Sequence, residues 1–164
     1  MTEVTVRDAT MDDLVSLARF NIDLALESEN IHLDPEIISS GVRALLEDPS
    51  KGRYFVAERD GVIIGQLATT FEWSDWRNGM FLWIQSVFVE PEHRKSGVFR
   101  ALYRYVEELS RAPGMCGIRL YVHDHNDGAA ETYKRLGMVS PGYSVLETPD
   151  RLRESVPAKD SGES

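Results

Sequence analysis

The sequence predicts a mixed α/β (α+β) domain with one sheet covered by helices. Three observations carry this. The chain has 164 residues, 42% apolar and 27% charged, enough to bury a core without disulfides or metal. Apolar residues alternate in some segments and recur at helical spacing in others. The segments follow the order β-α-α-β-β-β-α-β-α-β, with antiparallel hairpins first and a β-α-β unit later.

Residues 4–7 read as a first strand, and Thr10 with Asp13 forms the S/T-x-x-D pattern of a helix start. Leu14, Ala18, Ile22 and Ala25 continue at helical spacing. Asp34-Pro35 opens a second helix, a cap followed by proline at the first helical position, with Ile38, Val42 and Leu45 on one face. Residues 54–58 and 62–71 flank Asp60-Gly61, which supplies the positive φ angles of a hairpin turn. After Asn78-Gly79, residues 80–89 are apolar on both faces, as in a central strand ended by Pro91.

A helix follows Ser96, with Phe99, Leu102, Val106 and Leu109 in register, and stops before Pro113-Gly114. Ile118, Leu120 and Val122 alternate with Arg119 and Tyr121 as a strand. Residues 127–136 form the last helix, with Gly137 as its left-handed cap. Residues 143–147 close the sheet. The pattern shows no internal repeat and no interdomain linker, so residues 1–147 are expected to form one domain and residues 148–164 a polar, flexible tail.

The net charge of −9 argues against nucleic-acid and anionic-membrane partners and matches cationic ones such as amines. One cysteine permits no intramolecular disulfide. The opening MTEVTVRDAT holds early acids and no apolar run of signal-peptide length. The most apolar stretch, 80–89, is interrupted by Gln85 and Ser86 and too short to span a bilayer. A cytoplasmic protein, monomer or homodimer, is expected.

The stretch VFVEPEHRKSGVFRAL, residues 87–102, runs from strand to helix through a basic turn. A helix N-terminus presents unpaired N–H groups and partial positive charge. Arg94 and Lys95 add full charges, Ser96 can cap, and Gly97 allows close backbone approach. The turn reads either as a cradle for a phosphate or diphosphate or as a solvated connection. Neither G-x-x-x-x-G-K-S/T nor G-x-G-x-x-G is present.

This segment resembles the coenzyme-A signature of the GNAT N-acetyltransferase superfamily, R/Q-x-x-G-x-G/A between a strand and a helix. Arg94 and Gly97 match it, and Phe99 stands at the final Gly/Ala position. NDGAAETYKRLGM, residues 126–138, resembles the later motif N-x-x-A-x-x-x-Y-x-x-x-G-F/M through Asn126, Ala129, Tyr133, Gly137 and Met138. The resemblance implies a GNAT-like fold: a central mixed, mostly antiparallel sheet of six to seven strands flanked by about four helices.

It also implies acetyl-CoA as co-substrate, with its diphosphate on the amides of Arg94, Lys95, Ser96, Gly97, Val98, Phe99 and Arg100. Its pantetheine arm would lie along Val87, Phe88 and Val89, held by Asn126, where parallel strands splay. Tyr133 would meet the departing thiolate as acid or hydrogen-bond donor; the other reading packs it in the core with Ala129 and Leu136. Phe99 either crowds the diphosphate or turns into the core with Leu102 and Val106, and helical spacing predicts the latter.

The implied reaction is transfer of an acetyl group to a primary amine of a small molecule or peptide, by direct attack in a ternary complex. Such an amine, with an ammonium pKa of about 10.4, is nucleophilic in fewer than about 1 in 1,000 molecules at pH 7. A base is therefore needed. The central strand offers only Gln85 and Ser86, so Glu72 in FEWSDW is the candidate, against the reading of a solvated loop acid. For the acceptor, Glu27, Glu29 and His32 in ALESENIHLD, with Trp73, Trp76 and Gln85, could hold and stack a cationic amine. His123 and His125 have the spacing of a metal pair but no third ligand, so no metal is expected, and Cys116 reads as a packed thiol. A rival reading is a non-catalytic acyl-CoA-binding sensor or interaction module.

Overall fold

In the computed structural model, which describes residues 3–123 and 126–148, the elements run β1 (Thr5–Asp8), α1 (Leu14–Glu29), α2 (Pro35–Glu47), β2 (Arg53–Arg59), β3 (Val62–Ser74), β4 (Gly79–Val89), α3 (Val98–Leu109), β5 (Met115–Leu120) and α4 (Asp127–Arg135). Short 3-10 turns at Met11–Asp13 and Pro91–His93 precede α1 and α3. Two compact units divide the chain, the first ending at Tyr121 and the second beginning at Val122.

The strands lie in the order β1-β2-β3-β4-β5. Neighbours are antiparallel except β4 and β5, which are parallel. Asp60 and Gly61, at φ 53° and 75°, make the expected tight turn between β2 and β3. The Asp34 side chain accepts from the Glu36 and Ile37 amides, so the cap and Pro35 set the start of α2 as anticipated.

The expected six to seven strands are corrected to five among the described residues. Residues 143–147 form no strand. Pro141 has no N–H to donate, and Gly142, at φ 82°, turns the chain just before them. Tyr143 and Leu146 are 76% and 94% exposed, so no buried face holds the segment extended.

Helices cover both sheet faces of the first unit. Tyr54, Val56 and Ala68 pack with Leu17 of α1 and Val42 of α2, joined by Ile38 and Leu45. Phe55 points to the opposite face, as adjacent strand residues must, and stacks on Tyr105 of α3 at 5.3 Å. The buried stripe of α3 is Val98, Leu102, Tyr103 and Val106. Among the described residues no helix is long and apolar enough to cross a membrane.

The entry to α1 is fixed by a nearly buried carboxylate. Asp13 accepts from the Thr10 amide at 2.7 Å and from Arg7 Nη1 and Nη2 at 2.8 and 3.0 Å. Arg7 also reaches Glu58 of β2. Its hydrogen bonds to Arg7 hold the Asp13 carboxyl below the usual carboxylate range, against the opposing effect of burial. This stabilisation is present above the unfolded-state value near 4 and is lost as pH falls through the lower folded-state value. Asp13→Asn should cost about 1–3 kcal/mol at neutral pH, and urea melts at decreasing pH should show the difference from the native chain vanish once Asp13 is protonated.

Gly65 lets β4 and the start of α3 close on β3. A Cβ there would sit 3.0 Å from the Phe88 carbonyl oxygen and 3.2 Å from Val98 Cγ1. The backbone oxygen cannot swing aside. Gly65→Ala is therefore expected to lower unfolding free energy by about 1–3 kcal/mol, measured by chemical denaturation.

Candidate active site

β4 is held on both sides for only part of its length. It pairs with β5 from Met80 to Ile84, where β5 ends at Leu120, yet continues to Val89. Residues 85–89 therefore flank an opening on the β5 side. Within that stretch the ladder to β3 slips, because Ala68 faces Gln85 while Gln66 faces Phe88. Ser86 and Val87 together oppose Leu67, which makes a β-bulge. Ser86 adopts φ 50°, a left-handed conformation that costs a non-glycine residue about 1–2 kcal/mol.

Buried polar groups hold this bulge. Gln66, fully buried, donates from Nε2 to the Ser86 carbonyl at 3.1 Å. The Tyr54 hydroxyl accepts from Asn21 Nδ2 at 3.0 Å. Burial pushes the Tyr54 phenol above its ordinary range, opposed by the neighbouring Asn21 and Ser86 side chains. Asn21 also donates to the Leu17 carbonyl. Among the described residues Gln66 Oε1 is buried without a hydrogen-bond partner.

The bulge also moves Phe88 onto the face of Gln66, since directly opposed residues of a ladder share a face. There it packs on Phe20 of α1 at 5.1 Å.

Beyond Val89 the chain makes its 3-10 turn and enters α3 through two left-handed residues, Lys95 at φ 59° and Gly97 at φ 86°. Gly97, not Ser96, occupies the N-cap, and no side chain caps the helix. Ser96 is spent on the turn: its hydroxyl donates to the His93 carbonyl at 2.6 Å and accepts from Arg59 Nη2 at 3.4 Å. Arg59 Nη1 also meets His93 Nδ1 at 3.3 Å. A guanidinium only donates, so Nδ1 accepts and the ring proton lies on Nε2. A helix N-terminus with no side-chain cap, behind a basic turn, presents the donors and the positive field that attract anions.

Val98, 1% exposed, opens the buried stripe where Phe99 was expected to. Phe99 is half-buried, its ring 6.1 Å from Tyr103 one turn on.

The structure joins two predicted residues assigned to different roles. Arg94 donates through Nη2 to Glu27 of α1 at 2.7 Å and through Nε to the Val89 carbonyl at 2.9 Å. Its side chain faces α1, leaving its backbone in the turn. Arg19 of α1 pairs with Glu90, so α1 is tied to the strand-to-helix connection twice.

A second cluster lies on the sheet face shared by Thr70 and Glu72 of β3, Phe81, Trp83 and Gln85 of β4, and Arg119 of β5. Glu72 accepts from Trp83 Nε1 at 2.6 Å and from Arg119 Nη1 at 2.6 Å. Tyr121 lies 4.4 Å from Trp83, and Arg119 lies over the Phe81 ring at 3.8 Å. Gln85 donates to Thr70 Oγ1 at 3.3 Å. Glu72 is thus a half-exposed, partnered carboxylate. Glu29, His32, Trp73 and Trp76 are exposed, and among the described residues no hydrogen bond or ring contact joins them to this cluster.

In the second unit, Asn126 Oδ1 accepts from the Ala129 amide at 3.1 Å and caps α4. Tyr133 is half-buried, and its carbonyl accepts from the Met138 amide at 3.1 Å. His125 and residues 149–164 lie outside the described residues. Among the described residues no three His, Cys, Asp or Glu gather as metal ligands.

Sequence reasoning did not single out Gln66, Tyr54, Asn21, Arg59, Trp83 or Arg119. Gln66 carried a signal, an amide inside the apolar run VIIGQLATTF, since buried amides are uncommon without a task.

The family model described as "Acetyltransferase (GNAT) family" matches residues 14–138. A crystal structure of a possible acetyltransferase from Clostridium difficile 630 superposes with a TM-score of 0.85 at 42% identity, covering 90% of this chain and 97% of that one. An uncharacterized N-acetyltransferase from Methanocaldococcus jannaschii is 27% identical over 134 residues, 81% of this chain and 59% of the relative, so the chain spans under two thirds of that protein's length. The thialysine N-epsilon-acetyltransferase of Sus scrofa is 27% identical over 148 residues, 84% of this chain and 85% of the relative. With a family match over most of its length and a sheet that opens beside an uncapped, basic helix end, this chain belongs to the GNAT acetyltransferase family.

Proposed function

We propose that the protein is an acetyl-CoA-dependent N-acetyltransferase acting on a primary amine of a small molecule or peptide, by direct attack in a ternary complex. The observation that carries the reading is the uncapped N-terminus of α3 behind Lys95 and Gly97, at the end of a strand whose last five residues have lost their β5 neighbour. Family membership supplies the acyl-transfer chemistry.

In this reading the diphosphate rests on amides of the 94–100 turn, with Arg59 bracing the turn through His93 and Ser96. The pantetheine arm runs along residues 87–89, and Asn126 contributes to its binding. Holding amine and thioester together can supply effective molarities of about 10⁵ M or more. Backbone donors of β4 stabilise the oxyanion that forms on the thioester carbonyl.

Glu72 is the proton acceptor for the ammonium. An ionised carboxylate has about four lone-pair sites; Trp83 and Arg119 take two, leaving the others for waters that relay the proton along β4, since Glu72 stands opposite Phe81, about 20 Å of strand from Val87. Trp83 and Tyr121 present ring faces to a cationic chain. The Sus scrofa relative, a thialysine N-epsilon-acetyltransferase, makes thialysine and other lysine-like amines the first acceptors to test. Glu27, Glu29, His32, Trp73 and Trp76 remain candidates for the acceptor's approach. Tyr133 donates to the departing thiolate.

The purified protein should bind acetyl-CoA, and thiol release should accelerate when an acceptor from an amine panel beginning with thialysine is added. No coenzyme binding at millimolar concentration would end the proposal. A non-catalytic coenzyme-binding module is the rival reading, favoured by the salt bridge that already ties Glu72 to Arg119. Tyr133→Phe separates the two: an enzyme should lose about 10²-fold or more in kcat while still binding coenzyme A, whereas a module has no turnover to lose.

A further inference from the structure

The buried amide of Gln66 has no role in the reaction as set out above, and its surroundings define one. Among the described residues its oxygen has no partner, and its one hydrogen bond is that from Nε2 to the Ser86 carbonyl at 3.1 Å. The assignment of nitrogen and oxygen is not arbitrary, because a carbonyl only accepts and must face the NH₂ group. Ser86 is the left-handed residue of the β4 bulge, and neither it nor Val87 has a residue paired directly across in β3.

Two torsions decide where the peptide joining Ser86 and Val87 points. The φ of Ser86 is set by the strand before it. Its ψ remains, and rotation about ψ swings the Ser86 carbonyl. Gln66 holds that carbonyl. In a planar trans peptide the N–H is antiparallel to the C=O, so fixing the Ser86 carbonyl on Gln66 turns the Val87 N–H the opposite way, away from Gln66.

We propose that Gln66 is a positioning residue, whose side-chain amide aims the Val87 N–H at the thioester carbonyl by fixing the Ser86–Val87 peptide plane. This rests on the coenzyme-A reading of residues 87–89. Gln66 touches neither coenzyme nor acceptor and acts only through the backbone of β4. A methionine at the same position would fill the same space without a donor, leaving the coenzyme's site in place and its carbonyl unpolarised.

The test is isotope-edited infrared spectroscopy of [1-¹³C]acetyl-CoA bound to the full chain, alongside calorimetric titration with coenzyme A. Coenzyme A has no acyl carbonyl, so its affinity reads the diphosphate and pantetheine contacts alone. In the unsubstituted protein the bound carbonyl band should lie below its position in free acetyl-CoA, because a donated hydrogen bond weakens the C=O bond. In Gln66→Met most of that displacement should be lost, while coenzyme A binds as tightly as before. Gln66→Leu provides the same comparison if Gln66→Met fails to fold, judged by circular dichroism.

A displaced band that survives either folded substitution overturns the proposal. So does a parallel loss of coenzyme A affinity, which would make Gln66 a general packing residue. An undisplaced band in unsubstituted protein that binds acetyl-CoA overturns this proposal alone, whereas failure to bind coenzyme A at all removes the functional reading as well.

Discussion

The arrangement of the first unit follows from one backbone constraint: β4 turns left-handed at Ser86, in the interior of a long, largely apolar strand. An L-residue resists that conformation, so it must be held. The hold comes from Gln66 on β3, which donates to the Ser86 carbonyl, beside the Tyr54 hydroxyl of β2 that Asn21 of α1 fixes in turn. The extra residue of the bulge shifts the strand's face, so Phe88 packs on Phe20 while Val87 is left without a partner across β3. β5 ends its pairing at Ile84, one residue short of Gln85. Loss of the parallel neighbour and the bulge thus coincide, and the opening lies where strand backbone is least committed to the sheet.

Electrostatics give the opening its direction. The chain carries a net charge of −9, yet Arg59, Arg94, Lys95 and Arg100 collect around the entry to α3. Two of the acids nearby are already used, Glu90 by Arg19 and Glu27 by Arg94. The Arg94–Glu27 pair is exposed on both sides and contributes about 1 kcal/mol or less to stability. The consequence of the two pairs is geometric: they tie α1 to the strand-to-helix turn and draw the Arg94 side chain aside from the helix axis. At the other part of the sheet, Glu72 is neutralised by Arg119 and oriented by the Trp83 indole, so its carboxylate keeps one geometry instead of moving with solvent.

Local signals in the chain were read well wherever the physics is local. Asp34-Pro35 opened α2 because a cap and a fixed φ act within one turn. Asp60-Gly61 made the β2–β3 turn because only a few residue types accept its φ angles. The basic turn before α3 was legible for the same reason. What failed depended on partners far away in sequence. Residues 143–147 alternate like a strand but have no ladder or buried face to hold them. Ser96 looked like a cap, but its hydroxyl is drawn into a contact with Arg59 across 37 residues. Val98 took the core position expected of Phe99 because the helix starts after a left-handed Gly97, which sets the stripe's phase.

By itself, the sequence determined the class of fold, the order of its elements from β1 to α4 and the basic character of the strand-to-helix turn before α3. These rest on spacing, caps, turn residues and charge, all acting over a few residues. Only the tertiary structure decided that Glu72 belongs with Arg119 and Trp83, that Glu27 is Arg94's partner, and that Gln66 holds the bulge of β4. Each pairing joins different elements through side chains whose directions depend on strand register, and a one-residue slip reverses every such direction. The bulge is such a slip, and nothing in the local pattern of FLWIQSVFV announces it.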